Sequence, residues 1–407
     1  MASTEDEYIP GDRDALYSPG RSLVLNSHQA PPPYGHMYPN PHNLRPADMA
    51  LSDDESVLSR TRQVFKETNR PHGFSQIAQI DRYAQLHVTI IKAIPGNRGQ
   101  GDFSGPVNLL GRVTKASSKQ NLSVGDLTFI KVFDPLLWWK DVELLDRCLK
   151  VTTRADMAFC DEVGAYSFLQ QKGLTGFPHL APELFGSWTA AVTSSNPEFE
   201  GQTRHVGVLA LEYIDGYQLD KLFTPMERPR ASSVQFYEDT DTPVSFNTDE
   251  ATRMDVMAKL LGGNMQQEFA GITHGDIHPR SVIVSMRNGN TILDSPRVAL
   301  VGWRTSVVDS IAREPQAAFA YYSKPPHPWR RYNIVRLRPF LGWISRDWQA
   351  SAQYPRHSPQ LNRWMFDTFG SLHNPDNPDF QTWAEQCILD KAFGGLTVTT
   401  DAATPSI

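Results

Sequence analysis

The chain has little cysteine: only Cys148, Cys160 and Cys387, odd in number and far apart in 407 residues. That excludes a disulfide framework or a zinc knuckle and points to a reducing compartment. Long apolar runs are missing too. None approaches the roughly 20 residues that a membrane-crossing helix needs. The opening MASTEDEY is acidic and has no apolar core, so it does not read as a secretory signal. Nor is there an excess of positive charge. Lys and Arg number 39 against 45 Asp and Glu, a net charge of −6, which argues against a broad nucleic-acid surface. The expectation is a soluble intracellular protein of cytoplasm or nucleus, with neither membrane nor nucleic acid as partner. At 40% hydrophobic and 21% charged residues, the length suits one large or two modest globular units.

Residues 1–75 contain many prolines and polar residues without a sustained apolar period, so a disordered tail is expected there. Within it, Pro31–Tyr34 reads PPPY, the pre-extended form that WW-type aromatic grooves recognise, or a chance match in a Pro-rich stretch. Further on, LHVTIIKAI, PVNLLGRVTKA and DLTFIKVFDP read as three β-rich segments, the first two joined by the glycine-dense PGNRGQGDFSG. RADMAFCDEVGAYSFLQ has helical spacing, with Thr152 or Thr153 placed to cap its start. HVGVLALEYIDGYQL is an apolar strand ending in a turn. TDEATRMDVMAKLLGGNMQQEFAGI resumes a helical period, interrupted at Gly262 and Gly263. SVIVSM, the turn RNGN and RVALVGW make a hairpin. The rest is rich in Trp, Pro and Arg and reads as mainly helical, most clearly in DFQTWAEQCILDKAFGG.

Between the last long helix and the hairpin stands HGDIHPRS, a polar charged loop before an apolar run. It resembles the catalytic loop of the protein-kinase-like superfamily, in particular the aminoglycoside-phosphotransferase branch and related fungal kinase-like proteins. The resemblance covers about residues 86 to 345, with its elements in the family's order. It implies an α+β, protein-kinase-like two-lobed fold, with a small β-rich first lobe and a larger mainly helical second lobe. The boundaries are then 76–216 for the first lobe and its hinge, 217–393 for the helical lobe and 394–407 for a flexible tail. By the same resemblance Asp276 orients a phosphoryl acceptor, Lys131 contacts the ATP phosphates, and Glu162 holds Lys131 in place. Glu212, Tyr213 and Ile214 belong to the linker that offers backbone groups to adenine.

Two departures weaken the metal site that this family uses. Its metal-binding Asn, five residues beyond the Asp, is Ser281 here, and its metal-binding Asp falls on Gly302 in RVALVGWRTS. Another alignment places that Asp at Asp294, within TILDSPRV. Losing metal-facing groups leaves Mg2+ without its main anionic anchor. Three functions therefore stay open. The first is an ATP-binding, pseudokinase-like protein with impaired catalysis. The second is an active phosphotransferase using Asp276, with a metal ion on Ser281 or Asp294. The third is a metal-dependent hydrolase around His274, Asp276 and His278.

Overall fold

In the run SLVLNSH, Leu23 and Leu25 alternate with polar or exposed neighbours, and a period of two buries one face of a strand. Ser22–His28 forms that strand, β1, with Leu25 fully enclosed. It pairs antiparallel with β2 (Ile80–Ile94) and with β5 (Leu184–Thr193). Adding β3 (Val107–Lys115), β4 (Leu127–Phe133) and β6 (Thr203–Glu212) completes a closed barrel in the order β1-β2-β3-β4-β6-β5. Closure satisfies the N–H and C=O groups that an open sheet would leave at its edges. The computed structural model describes residues 16–41, 44–66, 80–94, 105–116, 121–138, 149–194, 199–227, 229–236, 243–314, 319, 321–348, 358–373 and 377–381.

The expectation of a disordered segment 1–75 fails for most of its described part. Besides β1, it contains the short helices α1 (Pro46–Met49), α2 (Asp53–Ser56) and α3 (Arg60–Lys66). Their few apolar residues cannot make a core alone. They pack against the start of α4 (Val151–Gln171), where Met49 accepts the Lys150 N–H at 3.0 Å and Glu55 meets the Lys150 ammonium at 3.7 Å. α4 starts on Lys150 without a side-chain cap, so Thr152 and Thr153 lie inside its first turn and are buried.

The segment after β1 straps α4. Tyr34 is 2% exposed and donates its hydroxyl to Asp156 at 2.7 Å. A Cβ at Gly164 would stand 2.3 Å from the Pro33 ring, so only glycine admits the strap there. Tyr38 donates to the Ser306 carbonyl at 3.0 Å and accepts the Val308 N–H at 2.9 Å. As folded, Pro33 and Tyr34 are buried and do not offer the accessible face that a WW-type groove reads.

By its contacts the chain divides into two units. The first comprises residues up to Asp215 together with His274–Asp276 and Val301–Arg313; the second comprises Gly216–Thr273, Ile277–Leu300 and everything from Glu314. In the second unit, β7 (Tyr217–Gln218), β11 (Val282–Asn288) and β12 (Thr291–Leu300) form a sheet, and β8 (Ser233–Phe236) pairs with β9 (Val244–Asn247). The β11–β12 hairpin turns at Gly289, whose φ is +57°. Helix α5 (Glu250–Ala270) is capped by Asp249 and stops at Gly271, φ +99°, before the two-residue β10 (Ile272–Thr273). Gly262 costs that helix propensity but meets Phe369, which a Cβ would approach to 3.4 Å. Beyond it come α6 (Pro328–Arg331), α7 (Ile334–Leu337) and α8 (Pro359–Phe369).

The protein-kinase-like fold expected from the resemblance is therefore not what forms. The sheet of the first unit closes into a six-stranded barrel, and the second unit carries strands as well as helices. The physical reasons are local. β1 was hidden among prolines, β12 extends back to Thr291, and Pro325, Pro326, Pro328 and Pro339 keep the Trp- and Arg-rich stretch in short helices. The glycine-dense loop before Gly105, the tail 394–407, and most of DFQTWAEQCILDKAFGG lie outside the described residues. No helix among the described residues is long and apolar enough to cross a membrane.

The barrel is locked by a buried ion pair. Arg204 of β6 donates to Asp134, just past β4, at 2.6 and 3.1 Å, and Tyr17 donates to the same carboxylate at 2.8 Å. Removing one charge of such a pair leaves the other in a dry site. Asp134→Ala should thus cost about 3–5 kcal/mol in urea unfolding. The double change Asp134→Leu with Arg204→Met should recover most of that loss.

Candidate functional site

Along β4, Ile130 and Val132 turn to one face and are wholly buried, while Lys131 and Phe133 turn to the other. That second face lies under α4, where Phe159 meets Phe133 edge-on at 5.3 Å. An ammonium there needs a counter-charge, and α4 delivers Glu162. Lys131 Nζ donates to both carboxylate oxygens, at 2.6 and 2.5 Å, and the two side chains are 12% and 1% exposed. Desolvation pulls the Lys131 ammonium below its ordinary value and the Arg304 charge pulls the same way, against the opposing hold of Glu162. One turn further along α4, Tyr166 is enclosed. Burial pushes its hydroxyl pKa well up, helped by the Glu162 and Glu212 carboxylates.

The linker residues follow from β6. Glu212 ends the strand, and its carboxylate accepts the Glu183 N–H at 3.1 Å. Tyr213 is half-buried and Ile214 is buried.

The His-Gly-Asp loop is held by backbone contacts. His274 is buried, and its Nδ1 accepts the Asp276 N–H at 3.2 Å. That leaves Nε2 to carry the proton and donate to the Val301 carbonyl at 3.1 Å. Its ring stands edge-on to Trp303 at 4.6 Å. Gly275 has φ +83°, and a Cβ there would lie 2.2 Å from the Thr305 carbonyl oxygen, so no other residue fits. Desolvation lowers the His274 pKa to about 4, although the Val301 and Asp276 contacts raise it, and Lys131 is among the charges it feels. Asp276 itself is half-buried.

Gly302 adopts a left-handed φ of +83° and opens a single 3-10 turn, Trp303–Thr305. A Cβ at Gly302 would meet nothing within 4 Å. Ser281 and Asp294 belong to the second unit. Ser281 is buried in the turn Pro279–Ser281, and Asp294 is exposed inside β12, which runs on to Leu300.

The residues present do not fit a metal ion. Gly302 has no donor side chain, both nitrogens of His274 are engaged, and no group of three or more His, Cys, Asp or Glu gathers among the described residues. Two cations are present instead. Lys131 is a held ammonium, and Arg304 is an exposed guanidinium whose charge reaches both Lys131 and Asp161. Sequence reasoning missed Arg304. Its signal was a cation directly after the Gly302-Trp303 pair, in a position where the resembled family has glycine. No protein-family model matches the chain, and no curated protein matches its sequence.

A histidine that stays neutral when folded, but protonates when unfolded, loses stability for the fold as pH falls. The His274 contribution should be complete above about pH 6.5 and decline progressively toward pH 4. At the acid end the loss should reach about 3 kcal/mol, from roughly 1.4 kcal/mol per pH unit. Urea unfolding from pH 7.5 to 4 should show this slope, and His274→Asn should flatten it.

Proposed function

We propose that the protein binds a nucleoside triphosphate such as ATP through Lys131, positioned by Glu162, and that its phosphoryl-transfer chemistry is impaired. The single observation that carries this reading is the enclosed Lys131–Glu162 pair, with the His274–Asp276 loop in the same unit. An ammonium kept on a fixed carboxylate is pre-oriented and loses little freedom when a phosphate arrives. The reading rests on this local constellation and on the resemblance of HGDIHPRS to kinase-like catalytic loops, not on a two-lobed fold. The segment Glu212–Ile214 would offer backbone groups to the base.

Impairment follows from magnitude. Removing one well-placed electrostatic group at a reacting centre costs about 10²–10³ in rate, and Gly302 brings no carboxylate to hold Mg2+. The role left is recognition, with nucleotide as ligand rather than substrate. A WW-type partner at Pro31–Tyr34 would have to peel the strap from α4 first.

Thermal unfolding with and without ATP tests this, run beside a phosphate-release assay. ATP should raise the unfolding temperature of the native chain and of Asp276→Asn. It should not stabilise Lys131→Met combined with Glu162→Gln, a neutral pair that avoids stranding a buried carboxylate. Phosphate release should match buffer alone. Absence of any nucleotide stabilisation refutes the reading, and release that disappears in Asp276→Asn would install an active phosphotransferase in its place. Gly302→Asp has room for its side chain and should fold at a cost of about 1–2 kcal/mol for the left-handed φ. It should make ATP stabilisation newly responsive to Mg2+.

A further inference from the structure

Arg304 is the charge that the proposed nucleotide reading leaves without a task. It lies in the 3-10 turn that Gly302 opens, and its side chain is exposed. One guanidinium nitrogen lies 3.9 Å from where a Cβ at Gly105 would stand. Gly105 leads into β3, whose Asn108 is the register partner of Lys131. The guanidinium therefore sits at the entrance of the strand beside Lys131, and the two cations feel each other.

Like charges on neighbouring segments disfavour each other, and an anion between them relieves that. Two acids lie in range. Glu162 gives both oxygens to Lys131. Asp161, the other acid in range of Arg304, accepts the Tyr34 N–H; burial raises its pKa, and the Tyr34 N–H and the Arg304 charge lower it. An incoming polyphosphate would bring further negative charge to the exposed guanidinium. A planar guanidinium suits it, because its parallel N–H groups match two phosphate oxygens.

We propose that Arg304 is a second phosphate-binding cation that stands in for the metal ion, so that polyphosphate binding to this site requires no Mg2+. The inference rests on the reading of Lys131 as the nucleotide contact and goes beyond it by naming what neutralises the remaining phosphate charge. The exchange is compact. Where the resembled motif has a carboxylate that holds a dication, this chain has Gly302 and, two residues on, a cation of its own.

Calorimetric titration of the full chain with ATP, ADP and AMP, in EDTA and in excess Mg2+, decides the matter. The native protein should bind ATP in EDTA at least as tightly as with Mg2+, and more tightly than ADP or AMP. Arg304→Ala, a change at an exposed site that should leave folding intact, should weaken ATP binding in EDTA about tenfold or more. It should leave AMP binding nearly unchanged, and Arg304→Lys should recover part of the loss. Unaltered ATP affinity in Arg304→Ala would overturn the inference while leaving the nucleotide reading intact, provided Lys131→Met with Glu162→Gln still abolishes binding. A tenfold gain from Mg2+ in the native protein would also overturn it. If the native protein binds no nucleotide under either condition, both readings fall together.

Discussion

An ammonium can sit in the wall of this barrel only because a carboxylate meets it there. Taking either ion out of water costs several kcal/mol, and their attraction offsets that cost only when the geometry is close. The Lys131–Glu162 contact therefore fixes the rotation of α4 about its axis. One residue either way would present Asp161 or Val163 instead. The helix is kept in that register from its outer side, by Tyr34 on Asp156 and by Pro33 against the bare backbone of Gly164. The strap can lie there because β1, immediately before it, closes the barrel between β2 and β5. Barrel closure, strap, helix and ion pair thus form one mechanical sequence.

A second set of constraints shapes the loop of His274 to Asp276. The histidine is uncharged because burial disfavours its cation, and its proton is committed to the Val301 carbonyl. It acts as a brace tying the loop to the segment of Gly302 and Trp303. That segment offers no carboxylate at Gly302, where the resembled motif would have one. The left-handed glycine lets the chain reverse at once and carry Arg304 past it.

Much of the local structure was legible in the residues. Helical spacing marked α4 and α5, the Asn-Gly turn marked the β11–β12 hairpin, and Lys131 stood out as a charge within an apolar strand. The cap at Thr152 or Thr153 was misplaced because Lys150 begins the helix with its backbone alone. Arg304 carried no periodic signal, only its place directly after the Gly302-Trp303 pair. Its meaning came from the company of Gly105, Asp161 and Lys131, which belong to three different elements.

By itself the sequence determined the periodic elements, the candidate ammonium and carboxylates, and the absence of a side-chain donor at Gly302. Each of these depends on neighbours within a few residues. Only the tertiary structure decided that the Pro-rich beginning supplies a strand, that this strand closes a barrel, and that the second unit mixes strands with helices. The reason is that β1 pairs with partners at 80–94 and 184–193. Pairing over such separations follows from which sheet edges remain unsatisfied once the rest has folded, and no short window of residues carries that information.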